Sequence, residues 1–408
     1  MADQPLSTDL IIEVLIRLPV KSILKFRCVS KTWRDLTRSP VFINAHQNRK
    51  GKQRSLLVKR YSSSQNGHGE VLSFSDQSIP IVDRHLHIIC QRLPPPSGKS
   101  GESAFSTHDE EFLDELLSSH LSIPIRGGLN ITWQRDSNIT IHGPCNGLVC
   151  IAFEKTLFLC NPALRELRRI PPPAGCIALP FQHGFGFDPI TGAYKIIQIS
   201  DMRHEVPNDV RFWYTPKKNS LRIDLYNSAS DSWKQIHGEK MPDLSYLPGY
   251  ELFYNGAIQW AIISPGSSPC ILCFDLSRES FRGLEFPDSF CSFERDLRLM
   301  ELDEKLAVVR YQYQMMIEPW CKTEIWVMKQ YGVKESWTKQ FVMDPHRDIC
   351  PILFLRNELL SVESDDGQPS ALHENQFKGF QFYGDVLAVT SVFYEESLIS
   401  LNEIITCK

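Results

Sequence analysis

The chain has 408 residues, of which 42% are hydrophobic and 23% are charged. These proportions are those of a folded globular protein, which excludes a disordered or fibrous one, and the length fits two domains. The 44 basic and 48 acidic side chains leave a net charge of −4, which excludes a strongly cationic nucleic-acid or membrane binder. Residues 1–60 hold 13 Lys or Arg against 4 Asp or Glu, or +9, whereas the rest hold 31 against 44, or −13. We therefore expect two parts with different partners.

The first residues predict a helical segment. Between residues 6 and 18, apolar side chains recur at spacings of one, three and four, which indicates one helix that Ser7 or Thr8 can cap and Pro19 ends. Two further short helices are expected, one after Ser22 and one from Ser30 up to Ser39-Pro40. Three short helices cannot bury all these side chains among themselves, so the apolar stripe must pack on the rest of the chain or on a partner.

From residue 140 onward, short alternating strands follow one another in a regular order. One kind of hairpin has its turns near 146, 191, 255, 304 and 357, and Asn255-Gly256 is the clearest of these turns. A second kind of hairpin follows the first, and a large residue opens its return strand: Leu167, Trp233, Phe281 and Trp337. Two hairpins every ~45–55 residues make four strands per unit, which is the size of a propeller blade.

Five such units begin after residue 140, and strand-like segments at 55–60 and 70–74 add one or two more. We therefore predict an all-β propeller-like domain of about six or seven blades, with a large β-sandwich as the alternative. Because a propeller must remove its open edge, we expect Ser397–Leu401 to lie in the sheet and close the ring.

The sequence contains no motif that predicts catalysis. Cys270-x-x-Cys273 lies inside an apolar strand without a second cysteine pair, and Gly184-x-Gly186 lacks the third glycine and the helix of a nucleotide-binding loop. The 12 cysteines are irregularly spaced, which does not suggest a disulfide framework. No signal peptide is recognisable, and no apolar run reaches the roughly 18–20 residues of a membrane span. We expect no catalytic residue, metal, cofactor or membrane contact, and a protein of the cytoplasm or nucleus.

Three segments of the helical part carry a family resemblance: "RLPVKSI" (17–23), "FRCVSKTWRDL" (26–36) and "SPVFI" (39–43). Together with residues 6–13 they resemble an F-box of the plant type, from which the chain differs at Ser7, where the family has Pro. The resemblance implies that residues 1–48 form an F-box of three short helices that docks on a Skp-type adaptor and, through it, on a cullin. It implies adaptor contacts by ten residues: Leu6, Leu10, Ile11, Val14, Leu15, Leu18, Pro19, Val20, Ile23 and Leu24.

The six basic residues between Lys21 and Arg38 are compatible with two roles. They fit the acidic surface of such an adaptor, and they also fit an ordinary solvated face. Nucleic-acid binding is not expected of this segment, because no basic helix continues and no reading motif is present.

The strand-rich part also carries a resemblance, in "CNGLVCI" (145–151), "LFLCNPALRELRRIP" (157–171), "GFGFDPITGAYKI" (184–196), "LYNSASDSWKQI" (225–236) and "YEESLISL" (394–401). These segments resemble the F-box-associated domain, a kelch-like propeller, of plant F-box proteins. The resemblance implies that residues 49–408 form this domain, with a flexible insertion at about 94–128. The chain would then be the non-catalytic substrate-recognition subunit of a Skp–cullin–F-box ubiquitin ligase, which binds a target protein for ubiquitination and degradation. A glycan-binding or enzymatic propeller, and an F-box scaffold that acts outside ubiquitination, are the alternatives.

Target binding is expected in the loops that the repeat leaves free. The loop at 201–220 combines charge with aromatic side chains, which are enriched at binding hot spots, and a second loop spans 239–249. The candidate target-binding residues are Arg211, Trp213, Tyr214 and Tyr246, and a merely solvated loop is the other interpretation.

Overall fold

The protein consists of a helical domain followed by a ring of β-sheets. The computed structural model describes residues 7–49, 54–64, 67–76, 131–133, 139–153, 156–164, 166–176, 180–202, 221–237, 251–263, 268–290, 296–314, 320–346, 349–355, 358–363, 369–373, 376–379 and 385–406.

The helical domain contains four helices: α1 (Thr8–Ile16), α2 (Val20–Phe26), α3 (Lys31–Arg38) and α4 (Pro40–Gln47). Ser7 caps α1 by accepting a hydrogen bond from Leu10 N at 3.4 Å, so the residue that departs from the family pattern has a local structural role. The helix expected after Ser22 begins earlier, at Val20. The three expected helices are joined by a fourth, because Ser39 caps α4 and Pro40 occupies its first turn, where no amide hydrogen is needed.

Six antiparallel four-stranded sheets follow, which we number as blades 1 to 6. Blade 2 comprises β4 (Ile139–Cys145), β5 (Leu148–Phe153), β6 (Thr156–Asn161) and β7 (Glu166–Ile170). Blade 3 comprises β8 (Pro180–Asp188), β9 (Ala193–Asp201), β10 (Leu221–Asn227) and β11 (Ser232–Ile236). Blade 4 comprises β12 (Glu251–Tyr254), β13 (Ala257–Ile262), β14 (Cys270–Asp275) and β15 (Ser280–Glu285). Blade 5 comprises β16 (Asp296–Leu302), β17 (Lys305–Gln314), β18 (Trp320–Met328) and β19 (Trp337–His346). Blade 6 comprises β20 (Ile349–Leu355), β21 (Glu358–Glu363), β22 (Pro369–His373) and β23 (Gln376–Gly379).

Blade 1 closes the ring with strands from both ends of the domain. It contains β1 (Arg54–Ser64), β2 (Gly67–Asp76), β3 (Ile131–Trp133) and β24 (Asp385–Glu395). The pairing of β24 with β1 runs antiparallel from Arg54 opposite Glu395 to Ser63 opposite Asp385. The expected propeller architecture is thus confirmed, with six blades in the described residues. The expectation that Ser397–Leu401 forms the closing strand is wrong, since these residues follow β24 and lie outside any strand; a short helix, α5 (Glu403–Thr406), comes next.

Close packing between blades explains two sequence features. A Cβ atom added to Gly184 would lie 2.5 Å from Ile258 Cγ2, and one added to Gly186 would lie 2.8 Å from Leu276 Cδ1, so these glycines allow blades 3 and 4 to approach. The Trp337 indole, at the start of β19, donates from Nε1 to the Glu285 carbonyl oxygen of blade 4 at 3.0 Å. The large residues that open the outer strands thus include one that docks on the preceding blade.

Candidate functional site

The helical domain carries apolar side chains that the described part of the chain leaves uncovered. Leu10 is 56% exposed and Val14 is 60% exposed, and their spacing of four residues puts them on one face of α1. Val29, after α2, and Val41, in α4, are also exposed. Four of the seven large exposed hydrophobic side chains among the described residues therefore lie between residues 7 and 49. Such a concentration indicates a surface for another protein.

The ten residues expected to contact an adaptor do not all reach this surface. Leu6 lies outside the described residues. Three side chains are exposed: Leu10, Val14 and Pro19. Three are half-buried: Ile11, Leu18 and Leu24. Three are at most 2% exposed and belong to the core of the helical domain: Leu15, Val20 and Ile23. For these last three the expectation of direct contact is corrected to a packing role in this structure, because their atoms face the core; adaptor contact by the others stays a prediction.

The backbone of the connection between α1 and α2 makes polar contacts with side chains from two distant parts of the chain. The Leu18 carbonyl oxygen accepts from Arg49 Nη1 at 2.8 Å and lies 3.0 Å from His46 Nε2. Burial lowers the pKa of Arg49, while the Glu396 and Glu395 carboxylates act in the opposite direction. Val20 N donates to Glu396 Oε2 at 3.1 Å, which joins the connection to a residue far along the chain. These contacts place Pro19 at a fixed point on the surface.

The basic residues of the helical domain are mostly free to meet a partner's charge. Five of the six between residues 21 and 38 are exposed: Lys21, Lys25, Lys31, Arg34 and Arg38. Arg27 is half-buried, donates from Nη2 to the Thr37 carbonyl oxygen at 2.9 Å, and has its pKa lowered by burial. Arg27 therefore has a structural role, and the other five give the domain a positively charged exterior.

The four candidate target-binding residues, Arg211, Trp213, Tyr214 and Tyr246, lie outside the described residues, as does the expected insertion at 94–128. Target contact by these four residues stays a prediction, and so does the flexible insertion.

The polar side chains of the propeller form buried networks. His142 Nδ1 lies 2.8 Å from Glu251 Oε1, with both side chains 3% exposed, and joins blade 2 to blade 4. His183 packs against it at 5.3 Å between ring centroids, and burial lowers the pKa of His183 to about 3, so this ring is neutral near pH 7. Within the described ranges, no group of three or more His, Cys, Asp or Glu side chains is arranged to hold a metal ion.

The cysteine pair singled out in the sequence has protonated thiols. Burial raises the pKa of Cys273 to about 11 and also raises that of Cys270. A thiol is nucleophilic or metal-binding only as the thiolate, so both cysteines act as packing residues at neutral pH. No helix in the part of the chain that the structure describes has the length and apolarity to cross a membrane.

Sequence reasoning missed the contact between Glu396 and α2. The two partners are 376 positions apart, so no local periodicity links them. The one available signal was the motif "YEESLISL", which contains Glu396 but does not say what it meets.

Comparison with known proteins agrees with this architecture. The model of the F-box domain matches residues 5–44, and that of the F-box associated beta propeller domain matches residues 111–375. An F-box/kelch-repeat protein of Arabidopsis thaliana is 26% identical over 371 residues, which cover 87% of this chain and 84% of the relative. The F-box protein CPR1 of Arabidopsis thaliana is 24% identical over 369 residues, which cover 85% of this chain and 75% of the relative.

Among solved structures, the β-propeller domain of the Trilobed protease from Pyrococcus furiosus aligns with 60% of this chain and 71% of its own, at 13% identity and a TM-score of 0.36. This likeness is too distant to carry an argument, and the propeller assignment depends on the six sheets and on the family match. The match over residues 111–375 covers more than half of the chain, and the helical domain before it matches the F-box. The chain therefore belongs to the plant F-box proteins that carry an F-box-associated β-propeller domain.

Proposed function

We propose that this protein is the substrate-recognition subunit of a Skp–cullin–F-box ubiquitin ligase. The observation that carries the proposal is the uncovered apolar face of α1, formed by Leu10 and Val14, in a domain that matches the F-box. Isolated exposed leucines and valines are ordinary on a protein surface, but a pair at helical spacing beside further exposed valines is a surface to be covered. The exposed lysines and arginines of α2 and α3 add complementarity to an acidic adaptor.

The exposed face of α1 accounts for only part of the binding energy that an adaptor complex requires. Fully burying a Leu or Val side chain is worth roughly 1.5–3 kcal/mol, and association costs an estimated ~4–15 kcal/mol. Leu10 and Val14 are already partly covered, so the two alone cannot supply the binding energy. The half-buried side chains beside them, Ile11, Leu18 and Leu24, would have to contribute as well.

The propeller's part would be to hold the target. The chain itself would not catalyse the covalent attachment of ubiquitin. It would raise the effective concentration of a target lysine near the ubiquitin-charged enzyme. The loops expected to recognise the target are those at 201–220 and 239–249, and the place of action is the cytoplasm or the nucleus.

The adaptor surface is tested by Leu10→Asp combined with Val14→Asp. Each substitution places a charge where an apolar contact with the adaptor is expected. We expect the double variant to lose ~2–3 kcal/mol of binding free energy, which lowers its affinity for a Skp-type adaptor about 30- to 150-fold. Ile190→Asp is the matched control, because Ile190 is 81% exposed on a propeller turn. Both proteins should melt like the native chain. Unchanged adaptor binding by the double variant would contradict the proposed function.

Target recognition is tested separately. Targets can be identified by affinity capture with proteolysis inhibited, followed by mass spectrometry. Replacing Arg211, Trp213 and Tyr214 by Ala should then lower capture by more than about tenfold, because one hot spot is worth ~2 kcal/mol or more. Adaptor binding and the melting temperature should not change. Full capture by this variant would move the target site elsewhere, first of all to residues 94–128.

A further inference from the structure

Residues 396–401 run across blade 2 after they leave β24. The Asn161 side chain, at the end of β6, donates from Nδ2 to the carbonyl oxygens of Ser397 and Ile399, at 3.2 and 2.6 Å. The Glu166 carboxylate, at the start of β7, accepts from Ser400 Oγ at 3.0 Å and from Leu401 N at 2.6 Å. Two side chains of one blade thus hold the segment's backbone at Ser397, Ile399 and Leu401.

The turn between β4 and β5 makes room for this path. Gly147 has a φ of +79° in that turn. A Cβ atom there would lie 2.6 Å from the Glu395 carbonyl oxygen and 3.1 Å from Ser397 N, both of which are backbone atoms. The glycine of "CNGLVCI" is therefore what allows the chain to leave β24 against blade 2.

The segment places two leucines in two different cores. Leu398 is 1% exposed and packs in the helical core, together with Ala163 and Leu164 from the turn between β6 and β7. Leu401 is 2% exposed and packs in the propeller core instead. The segment is thus anchored in the propeller by one leucine and inserted into the F-box by the other.

A polar contact accompanies the apolar one. Glu396 Oε2 accepts from Val20 N, an amide in the first turn of α2 that has no partner within its own helix. Pro19, which precedes it, supplies no side-chain cap, so the helix is capped from the propeller. We call residues 161–164, residue 166 and the segment at 396–401 together the seat.

We propose that the seat holds the F-box in one orientation on the propeller and thereby sets the position in which a bound target is presented for ubiquitin transfer. A single chain connection between two domains does not by itself fix their orientation, whereas the seat joins them through both a buried side chain and a hydrogen bond. The seat assigns a common purpose to two motifs far apart in the sequence, "LFLCNPALRELRRIP" and "YEESLISL", whose Asn161 and Ser397 are 236 positions apart. Gly147 of "CNGLVCI" makes room for the second of them. The presentation of a target rests on the proposed function; the fixed orientation does not.

The orientation of the F-box on the propeller is measured as the distribution of distances between two spin labels. Spin labels on unnatural amino acids at positions 31 and 190, where Lys31 and Ile190 are exposed, report on the F-box and on blade 3 without involving the cysteines. The native chain should give one narrow population. Leu398→Ala should broaden it and should accelerate hydrogen exchange of the Val20 amide by about tenfold or more, because local opening no longer has to extract the leucine.

Leu401→Ala is the matched control, since it removes the same atoms from the same segment but from the propeller core. It should lower the melting temperature and leave the distance distribution narrow. Glu396→Gln is a milder variant that retains an acceptor oxygen, and it should accelerate Val20 exchange without unfolding the chain. A narrow distribution together with native Val20 exchange in both Leu398→Ala and Glu396→Gln would overturn the seat.

The presentation role is tested by self-ubiquitination in the reconstituted ligase, with the modified lysines mapped by mass spectrometry. Leu398 packs against the core that also supports Ile11, Leu18 and Leu24, so Leu398→Ala is compared with the native chain at a saturating concentration of the Skp-type adaptor. Under that condition it should spread modification over more lysines. An unchanged set of modified lysines would overturn this role. If the native chain binds no adaptor, the proposed function and the presentation role fail together, while the distance and exchange measurements still decide the seat.

Discussion

Replacing Lys195 by Met should weaken the seam between blades 3 and 4 more than any exposed substitution. Lys195, on β9, is 2% exposed, and its Nζ lies 2.9 Å from Oδ2 of Asp188, which is 0% exposed. The same Nζ contacts Glu279 Oε1 at 3.0 Å and donates to the Leu276 carbonyl oxygen at 2.7 Å, both in the β14–β15 turn of blade 4. The substitution keeps most of the volume but leaves the Asp188 carboxylate buried without its cation.

The expected loss follows from what Asp188 retains. Breaking a buried ion pair by removing one partner costs ~3–5 kcal/mol. Asp188 still accepts from Thr191 Oγ1 at 2.7 Å and from Ile190 N at 3.0 Å, so we expect the lower end, about 3 kcal/mol. Urea unfolding should show a lower midpoint with an unchanged slope. Combining Lys195→Met with Asp188→Asn should recover part of the loss, because the charge is gone.

The pH dependence gives an independent check. Burial raises the pKa of Asp188. Hydrogen bonds to its carboxylate have a larger combined effect in the opposite direction, so its pKa lies well below the ordinary value; the donors are Ser277, Lys195, Thr191 and the Ile190 amide. A carboxyl whose native pKa is depressed stabilises the fold above its unfolded pKa of about 3.9 and loses that contribution as the pH falls below it. The difference in the free energy of unfolding between the native chain and Lys195→Met should therefore become smaller below about pH 4. A native urea midpoint for Lys195→Met at pH 7 would refute the reasoning.

Three further predictions concern single contacts. Gly147→Ala should lower the melting temperature much more than Gly192→Ala, because both glycines have positive φ values but only Gly147 has backbone within reach of a new Cβ; equal losses would exclude the close approach. Trp337→Phe should cost about 1–2 kcal/mol in urea unfolding, since the Glu285 carbonyl oxygen loses its donor; a native midpoint would show that water replaces the indole. For Glu324, burial raises the pKa, but Lys339, Trp326 and Arg310 lower it to about 2, so the native chain should lose stability relative to Glu324→Gln as the pH falls from 4.5 toward 2; parallel curves would contradict this.

Local signals predicted the repeating part of the fold well. Asn255 and Gly256 have φ values of 51° and 73°, which is the conformation that the Asn-Gly pair favours in a two-residue hairpin turn. Trp337 opens β19 as expected. Each of these features depends on a few consecutive residues, and the blade repeat multiplies them, so the four-stranded unit could be counted from the sequence.

Contacts between distant residues could not be predicted in this way. Ser39-Pro40 is compatible with the end of one helix and the start of the next, and both occur here. The apolar stripe of α1 gave no means to separate Leu15, which is buried, from Val14, which is exposed, because the division depends on what packs against the helix. Lys195 and Glu279 are 84 positions apart, and only the juxtaposition of two blades joins them.

The ring closure has a consequence for the order in which the protein is made. The F-box helices are synthesised first, whereas β24, which completes blade 1, and Leu398, which completes the helical core, follow more than three hundred residues later. During synthesis, domains generally fold as units from the N-terminus. A nascent chain that stops before residue 385 therefore has an open blade and an F-box core without its leucine. Packing of Leu398 in the F-box core is thus a structural mark of a chain translated at least through residue 398.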